Sequence, residues 1–221
     1  MSDIYYAIAD IHGRKDLLDL ALKEIFSRQD SGKIIFMGDY VDRGPDSGGV
    51  VSYLMSIPPT GWEYICLKGN HEDMLMYDWS SSNELYDPKV LDSFGGYLDD
   101  EVLRWINRLK IYHIEDDNIF VHADWNEHLT ESQQTEAEMI WRRRGRYASF
   151  DHPTMYLNHG HTPHGDGPVF AVNRCSLDCG AFYTNRLCVG VYQKGSKGPI
   201  TTFDVLRAVP PGEIVPLTYC Q

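Results

Sequence analysis

Three short apolar runs in the first third of the chain limit what it can fold into, because each ends in a polar loop and is followed by a stretch with helical spacing. Residues 4–9 lead into Asp10-Ile11-His12-Gly13, residues 33–37 into Gly38-Asp39-Tyr40-Val41-Asp42-Arg43-Gly44, and residues 62–67 into Lys68-Gly69-Asn70-His71-Glu72. Runs of this length, rich in β-branched and aromatic side chains, read as buried strands. After the first, Leu17, Leu18, Ala21, Leu22, Ile25 and Phe26 recur at helical intervals, which predicts an amphipathic helix over 14–28. Pro45 with Asp46 and Ser47 opens a second helix, faced by Val50, Val51, Leu54 and Met55, and a third is expected to start near Glu72. The order β-α-β-α-β-α calls for an α/β layered fold whose loops gather on one edge.

Beyond residue 80 the pattern changes. Residues 80–88 read as irregular, residues 99–109 as a helix capped by Asp99 or Asp100, and Thr135-x-x-Glu138 as a capping box opening a short helix through Trp141. Strands are expected over 111–114, 118–122, 155–158, 168–172, 175–177, 187–193 and 200–205. With 221 residues and no linker or repeat, a single domain over 1–221 is the expectation. A bilayer-spanning apolar stretch and a secretory signal are both missing, so the chain reads as cytoplasmic, without a membrane partner. Its five cysteines form no CxxC pair and read as reduced thiols; Cys175 and Cys179 lack the second pair that a zinc site of thiolates would need. A net charge of −12 argues against nucleic acid as a partner. An anionic substrate must therefore meet a local positive centre.

The polar residues standing after the strands form one chemical set. Asp10, His12, Asp39, Asp42, Asn70, His71, His122 and His161 offer oxygen or imidazole nitrogen and no thiolate. Such donors suit hard or borderline divalent cations, and their number exceeds the need of one catalytic ion. Two ions could be held if one carboxylate bridges, and Asp39 is central enough to do so. His159 and His164 read as surface or supporting residues.

The strings Asp10-x-His12-Gly13, Gly38-Asp39-Tyr40-Val41-Asp42-Arg43-Gly44 and Gly69-Asn70-His71-Glu72 resemble the three signature motifs of the phosphoprotein phosphatase branch of the calcineurin-like metallophosphoesterases. Val121-His122-Ala123-Asp124, Ile140-Trp141-Arg142-Arg143, Gly160-His161-Thr162-Pro163 and Leu177-Asp178-Cys179-Gly180-Ala181 resemble its small phage lambda-type protein phosphatases. Two departures stand out: Ala9 replaces a glycine usual before the first aspartate, and Cys179 stands where threonine is common.

The resemblance implies a two-sheet β-sandwich flanked by helices, in four layers, with two divalent metals at the sheet edge, manganese first and iron or zinc as alternatives. Asp10, His12 and Asp39 would hold one ion, and Asp39, Asn70, His122 and His161 the other. His71, oriented by Asp42, would be the general acid, and Arg43 would grip phosphate. A second arginine is expected after Ile140-Trp141; it points to Arg143, with Arg142, Arg144 and Arg146 open as alternatives. The implied reaction is in-line attack of a metal-bridging hydroxide on a phosphomonoester, with phosphoserine, phosphothreonine or phosphotyrosine in proteins as the leading substrates. Alternatives are hydrolysis of diadenosine tetraphosphate and a silent phosphate-binding module, against which the full complement of ligand positions speaks. Glu72 matches the family and reads as structural.

Overall fold

A computed structural model of the chain describes residues 3–207. The described strands form two five-stranded mixed sheets. In the first, β1 (Ile4–Ile8), β2 (Gly32–Phe36) and β3 (Trp62–Cys66) run parallel, while β9 (Arg186–Gln193) lies antiparallel to β1 and carries β10 (Thr201–Leu206) outside it. In the second, β5 (Asn118–Val121), β6 (Tyr156–His159) and β8 (Arg174–Ser176) are parallel, and β4 (Tyr112–Glu115) and β7 (Val169–Ala171) are antiparallel edges.

Alternation along the strands sorts the side chains into layers. Tyr5, Ala7, Ile35 and Met37 of the first sheet meet Phe120, Cys175 and Leu177 of the second, which makes the space between the sheets an apolar core. Tyr6, Ile8, Ile34 and Phe36 point the other way, into α1 (Lys15–Arg28) and α2 (Ser47–Met55) through Leu18, Leu22, Val50 and Leu54. α3 (Asn70–Ser82), α4 (Pro88–Ser93) and α5 (Asp100–Asn107) contribute Leu75, Val90, Val102 and Ile106 to that same layer. On the far face of the second sheet Ile119, Val121 and Leu157 pack under Trp125, Met139 and Phe150, from α6 (Glu136–Trp141) and its flanking loops. Helix, sheet, sheet and covering segment make up the expected four-layer α/β architecture, with a thin fourth layer.

Boundaries differ from expectation in readable ways. α3 begins at Asn70 rather than near Glu72, because the Glu72 carboxylate turns back to accept the Gly69 N–H at 2.9 Å and closes the first turn. α4 and the short α7 (Ala181–Thr184) lie where no helix was expected; neither is long enough to show a helical period. Asp99 caps α5, accepting from Glu101 and Val102, and Thr135 caps α6. Among the described residues no helix is long and apolar enough to cross a membrane, and Cys66, Cys175, Cys179 and Cys188 are free thiols. Cys220 lies outside the described residues.

Candidate active site

The parallel strands β1, β2, β3, β5 and β6 deliver their C-terminal ends to one edge of the sandwich, where ligand-binding loops of α/β sheets collect. Asp10 and His12 follow β1, Asp39, Asp42 and Arg43 follow β2, and Asn70 and His71 form the first turn of α3. His122 follows β5 and His161 follows β6. Asp10, His12, Asp39, Asn70, His71, His122 and His161 are all buried.

Holding so many polar groups together distorts the chain. Asp10, His12, Asp39, Asp42, Arg43 and His161 all adopt positive φ, between 46° and 69°, a region that favours glycine. The other non-glycine residues there, Asn83, Asp116, Asn173 and Asn185, are types that tolerate it at turns. Strain of this kind, of order 1–3 kcal/mol per residue, persists only where the surroundings over-determine it. Close glycine contacts add to the constraint: a Cβ on Gly160 would lie 1.8 Å from Asp10 Oδ2, and one on Gly69 2.2 Å from Asp39 Oδ1.

Asp39 sits at the centre with its two oxygens facing different partners. Oδ2 is 3.4 Å from His12 Nε2 and 3.9 Å from His71 Nε2; Oδ1 is 3.3 Å from His122 Nε2 and accepts the His71 N–H at 3.0 Å. Asn70 Oδ1 lies 2.9 Å from both His122 Nε2 and His161 Nδ1. The Asp10 oxygens receive the His161 N–H at 3.0 Å.

The protons show what this cradle is built for. His122 Nδ1 lies 2.9 Å from the Met37 carbonyl and His12 Nδ1 2.8 Å from that of Val41, so each Nδ1 carries the hydrogen and each Nε2 presents a lone pair. Burial pushes the pKa of both rings down and keeps them neutral, although Asp39 opposes it. His122 Nε2 therefore points a lone pair at Asn70 and Asp39 oxygens, and His12 Nε2 points one at the other Asp39 oxygen. Burial also pushes Asp10 well above the usual carboxylate range, with repulsion from Asp178 and Asp39 adding to it. Acceptors crowded against acceptors in this way are reconciled by cations, and two three-residue groups, His12-Asp39-His71 and Asp39-His122-His161, bring their donor atoms within 4.8 Å of one another. These groups fit a pair of divalent metals sharing Asp39, but His71, expected as the general acid, stands in the first and Asp10, expected as a ligand, in neither; Asp10 is held against the His161 N–H and Gly160 instead.

Beside the cradle, His71 Nδ1 bonds the Asp42 carboxylate, and Arg43 Nη2 lies 3.3 Å from His71 Nε2. Burial alone would lower the His71 pKa, but Asp39 and the Asp42 bond outweigh it and the net shift is upward. Arg43 stacks on Phe182, 4.7 Å from its ring, and Phe182 also edges His12. Glu72 accepts the N–H groups of Asp39 at 2.8 Å, Tyr40 at 2.7 Å, Val41 at 3.3 Å and Gly69 at 2.9 Å, so it ties two loops together without entering the cradle.

Of the four candidate arginines, three are committed. Arg142 lies 3.2 Å from Asp124 and 3.5 Å from Glu138, Arg144 bonds Asp124 and Glu127, and Arg146 pairs with Asp166. Among the described residues Arg143 has no carboxylate within 4 Å, and burial, joined by His122 and the Arg143 charge, lowers the His161 ring to about 4, against Asp39. His159 and His164, expected at the surface or in support, are buried, and burial together with Arg174 lowers His159 to about 3. Asp178 and Phe182 carried no functional expectation. Asp178 stood in a quoted motif, whereas nothing in the local pattern marks Phe182.

Comparison with known proteins follows the same lines. Residues 5–187 match the family described as calcineurin-like phosphoesterase. A symmetrical bis(5'-nucleosyl)-tetraphosphatase of Pseudomonas fluorescens is 27% identical over 218 residues, covering 94% of this chain and 71% of its own. Further tetraphosphatases of that description are matched over 42% to 78% of their length. Serine/threonine-protein phosphatase 2 of Escherichia coli is 27% identical over 201 residues, covering 82% of this chain and 89% of its own. Among solved structures, a Saccharomyces cerevisiae protein serine/threonine phosphatase superposes with a TM-score of 0.64 over 95% of this chain and 81% of its own, at 14% identity, a likeness of fold.

Proposed function

Because the chain belongs to the calcineurin-like phosphoesterase family, we propose that it is a metal-dependent phosphomonoesterase acting on phosphorylated proteins. The observation that carries this reading is the placement of His71, clamped by Asp42 and flanked by Arg43, beside Asp39, whose two carboxylate oxygens face His12 on one side and His122 on the other. Asp10, His12 and Asp39 would hold one cation, and Asp39, Asn70, His122 and His161 a second. When bound, two such ions would acidify a water into a nucleophile and neutralise charge on the phosphoryl oxygens. Manganese suits the mixed oxygen and imidazole donor set, and iron or zinc would also fit it.

The remaining work falls to side chains of this chain. Asp42 holds the His71 proton at Nδ1 and orients the ring, so that a protonated Nε2 faces the leaving oxygen and donates to it, a contribution of typically 10²–10⁴-fold. Arg43, braced on Phe182, and Arg143, left without a carboxylate, supply guanidinium groups to the equatorial oxygens, where charge gathers in the transition state. Together with bound divalent ions, these two cations would give a chain of net charge −12 a local positive centre for a phosphate dianion.

A second reading is hydrolysis of a dinucleoside polyphosphate, favoured by the tetraphosphatase of Pseudomonas fluorescens that aligns over 94% of this chain. Among curated relatives this chain spans 89% of the Escherichia coli phosphatase against 42% to 78% of the tetraphosphatases, which supports the protein phosphatase, whereas a solved putative diadenosine tetraphosphatase, similar in fold alone, is covered to 92%. After chelation and re-addition of manganese, iron or zinc, p-nitrophenyl phosphate, phosphopeptides and diadenosine tetraphosphate are assayed side by side. Restored turnover of phosphopeptides above that of the dinucleotide is expected. Turnover of the dinucleotide alone would replace this reading with the second.

A further inference from the structure

The bulkiest fully buried side chain among the described residues is an arginine, Arg174. It rises from β8 opposite Leu157, on the outer face of the second sheet, since its neighbour Cys175 points into the core between the sheets. Nη1 donates to the Gly145 carbonyl at 3.0 Å and Nη2 to that of Arg146 at 2.6 Å, while Nε finds no partner. Burial and the nearby Arg144 charge lower its pKa, with Asp124 compensating in part. A cation hidden from water and directed at neutral carbonyls is costly, and an apolar residue of similar volume could fill the space. The position demands a guanidinium for what it holds.

What it holds is the turn just after the candidate phosphate arginine. Arg144 fastens the same segment from its other side, bonding Asp124 at 2.8 Å, Glu127 at 2.8 Å and the carbonyls of Trp125 at 3.0 Å and Ser149 at 2.8 Å. With Arg142 and Arg146 also paired to carboxylates, Arg143 is the exposed cation that this scaffold leaves available.

We propose that Arg174 is a positioning residue for phosphate binding: by fixing the backbone at Gly145 and Arg146 from beneath, it holds the segment that presents Arg143 to the cradle. The proposal rests on the reading of Arg143 as a phosphate-binding residue. Arg174 itself touches no substrate, so its removal acts only through Arg143, and the two effects do not add.

The test is a double-mutant cycle in the metal-loaded enzyme with Arg174→Met, Arg143→Met and the pair, reading KM and kcat for p-nitrophenyl phosphate and the affinity for inorganic phosphate by calorimetry. Arg143→Met should weaken phosphate binding and raise KM about 10-fold, as loss of a charge-assisted hydrogen bond does. Arg174→Met should raise KM and the phosphate dissociation constant several-fold, with kcat within about 2-fold, and should add nothing in the Arg143→Met background. Thermal melts verify folding, and Arg174→Lys, which keeps the charge but not the fork, carries the cycle if the methionine variant unfolds. An Arg174 variant with unchanged KM and phosphate affinity, or with costs that add in full to those of Arg143→Met, would reduce Arg174 to packing. If Arg143→Met itself left phosphate affinity intact, the reading of Arg143 would fail and take this proposal with it.

Discussion

The loops at 10–13, 37–44 and 67–72 and the segment at 124–150 meet at the same cradle but are anchored by different bonds. The loops are laced backbone to backbone: His12 N–H to Asp39 O at 2.8 Å, Gly13 N–H to Tyr40 O at 2.8 Å, Asp46 N–H to Gly13 O at 2.9 Å and Leu67 N–H to Phe36 O at 2.8 Å. Glu72 then gathers the N–H groups of Asp39, Tyr40, Val41 and Gly69. In the 124–150 segment side chains do most of the fastening, through Arg144 with Asp124 and Glu127 and through Arg174 from β8. Backbone lacing leaves the donor atoms little freedom, as metal coordination requires. Side-chain bracing places an arginine with more latitude and can be altered by single substitutions without disturbing the cradle. Under the proposed function, the segment could alter the grip on substrate through Arg143 while Asp39 and His71 stay fixed in the loops.

Replacement of His71 tests the rigid side most severely. His71→Asn should lower kcat by about 10²–10⁴-fold while metal content, measured by elemental analysis, stays at the parent level. A variant as active as the parent would remove the general acid. Glu72→Ala comes next: it leaves buried N–H groups of two loops unpaired, at a cost of about 3 kcal/mol, and should lower the thermal midpoint and the metal affinity together. If stability fell while metal affinity held, the lacing would not be what shapes the cradle.

On the other side, Arg144→Met should raise KM for p-nitrophenyl phosphate about 10-fold and leave metal content alone. Loss of metal in that variant would collapse the distinction between the two regions. The smallest effect is acidification. The Arg144 fork, working against partial burial, holds Glu127 down at about 2, below its ordinary value of 4.5. A depressed carboxylate contributes stability that is complete above the unfolded value and is lost as pH falls toward the folded one. Hydrogen exchange at 124–150 should therefore speed up between pH 4.5 and about 2 relative to its intrinsic rate, and Glu127→Gln should abolish that step. Exchange with no such step would mean that Glu127 does not brace the segment.

Much of this was legible in the residues. Asp10, His12, Asp39, Asn70, His71, His122 and His161 stand at the ends of strands whose apolar runs are visible, and the parallel order of those strands forces their loops to one edge. Asp99 and Thr135 cap their helices because a side-chain oxygen finds N–H groups two or three residues away, which is a local matter. The buried state of His159 and His164 was not legible, nor was the part played by Phe182 against Arg43, since each depends on what a distant segment lays over it.

The sequence by itself determined the donor types, their order and the strand ends that carry them, because periodicity and turn chemistry act over a few residues. Tertiary structure decided which of Arg142, Arg143, Arg144 and Arg146 has no carboxylate partner among the described residues. Four neighbouring guanidinium groups are alike until folding brings Asp124, Glu138, Glu127 and Asp166 up to three of them, and the one left without a carboxylate can meet a phosphate.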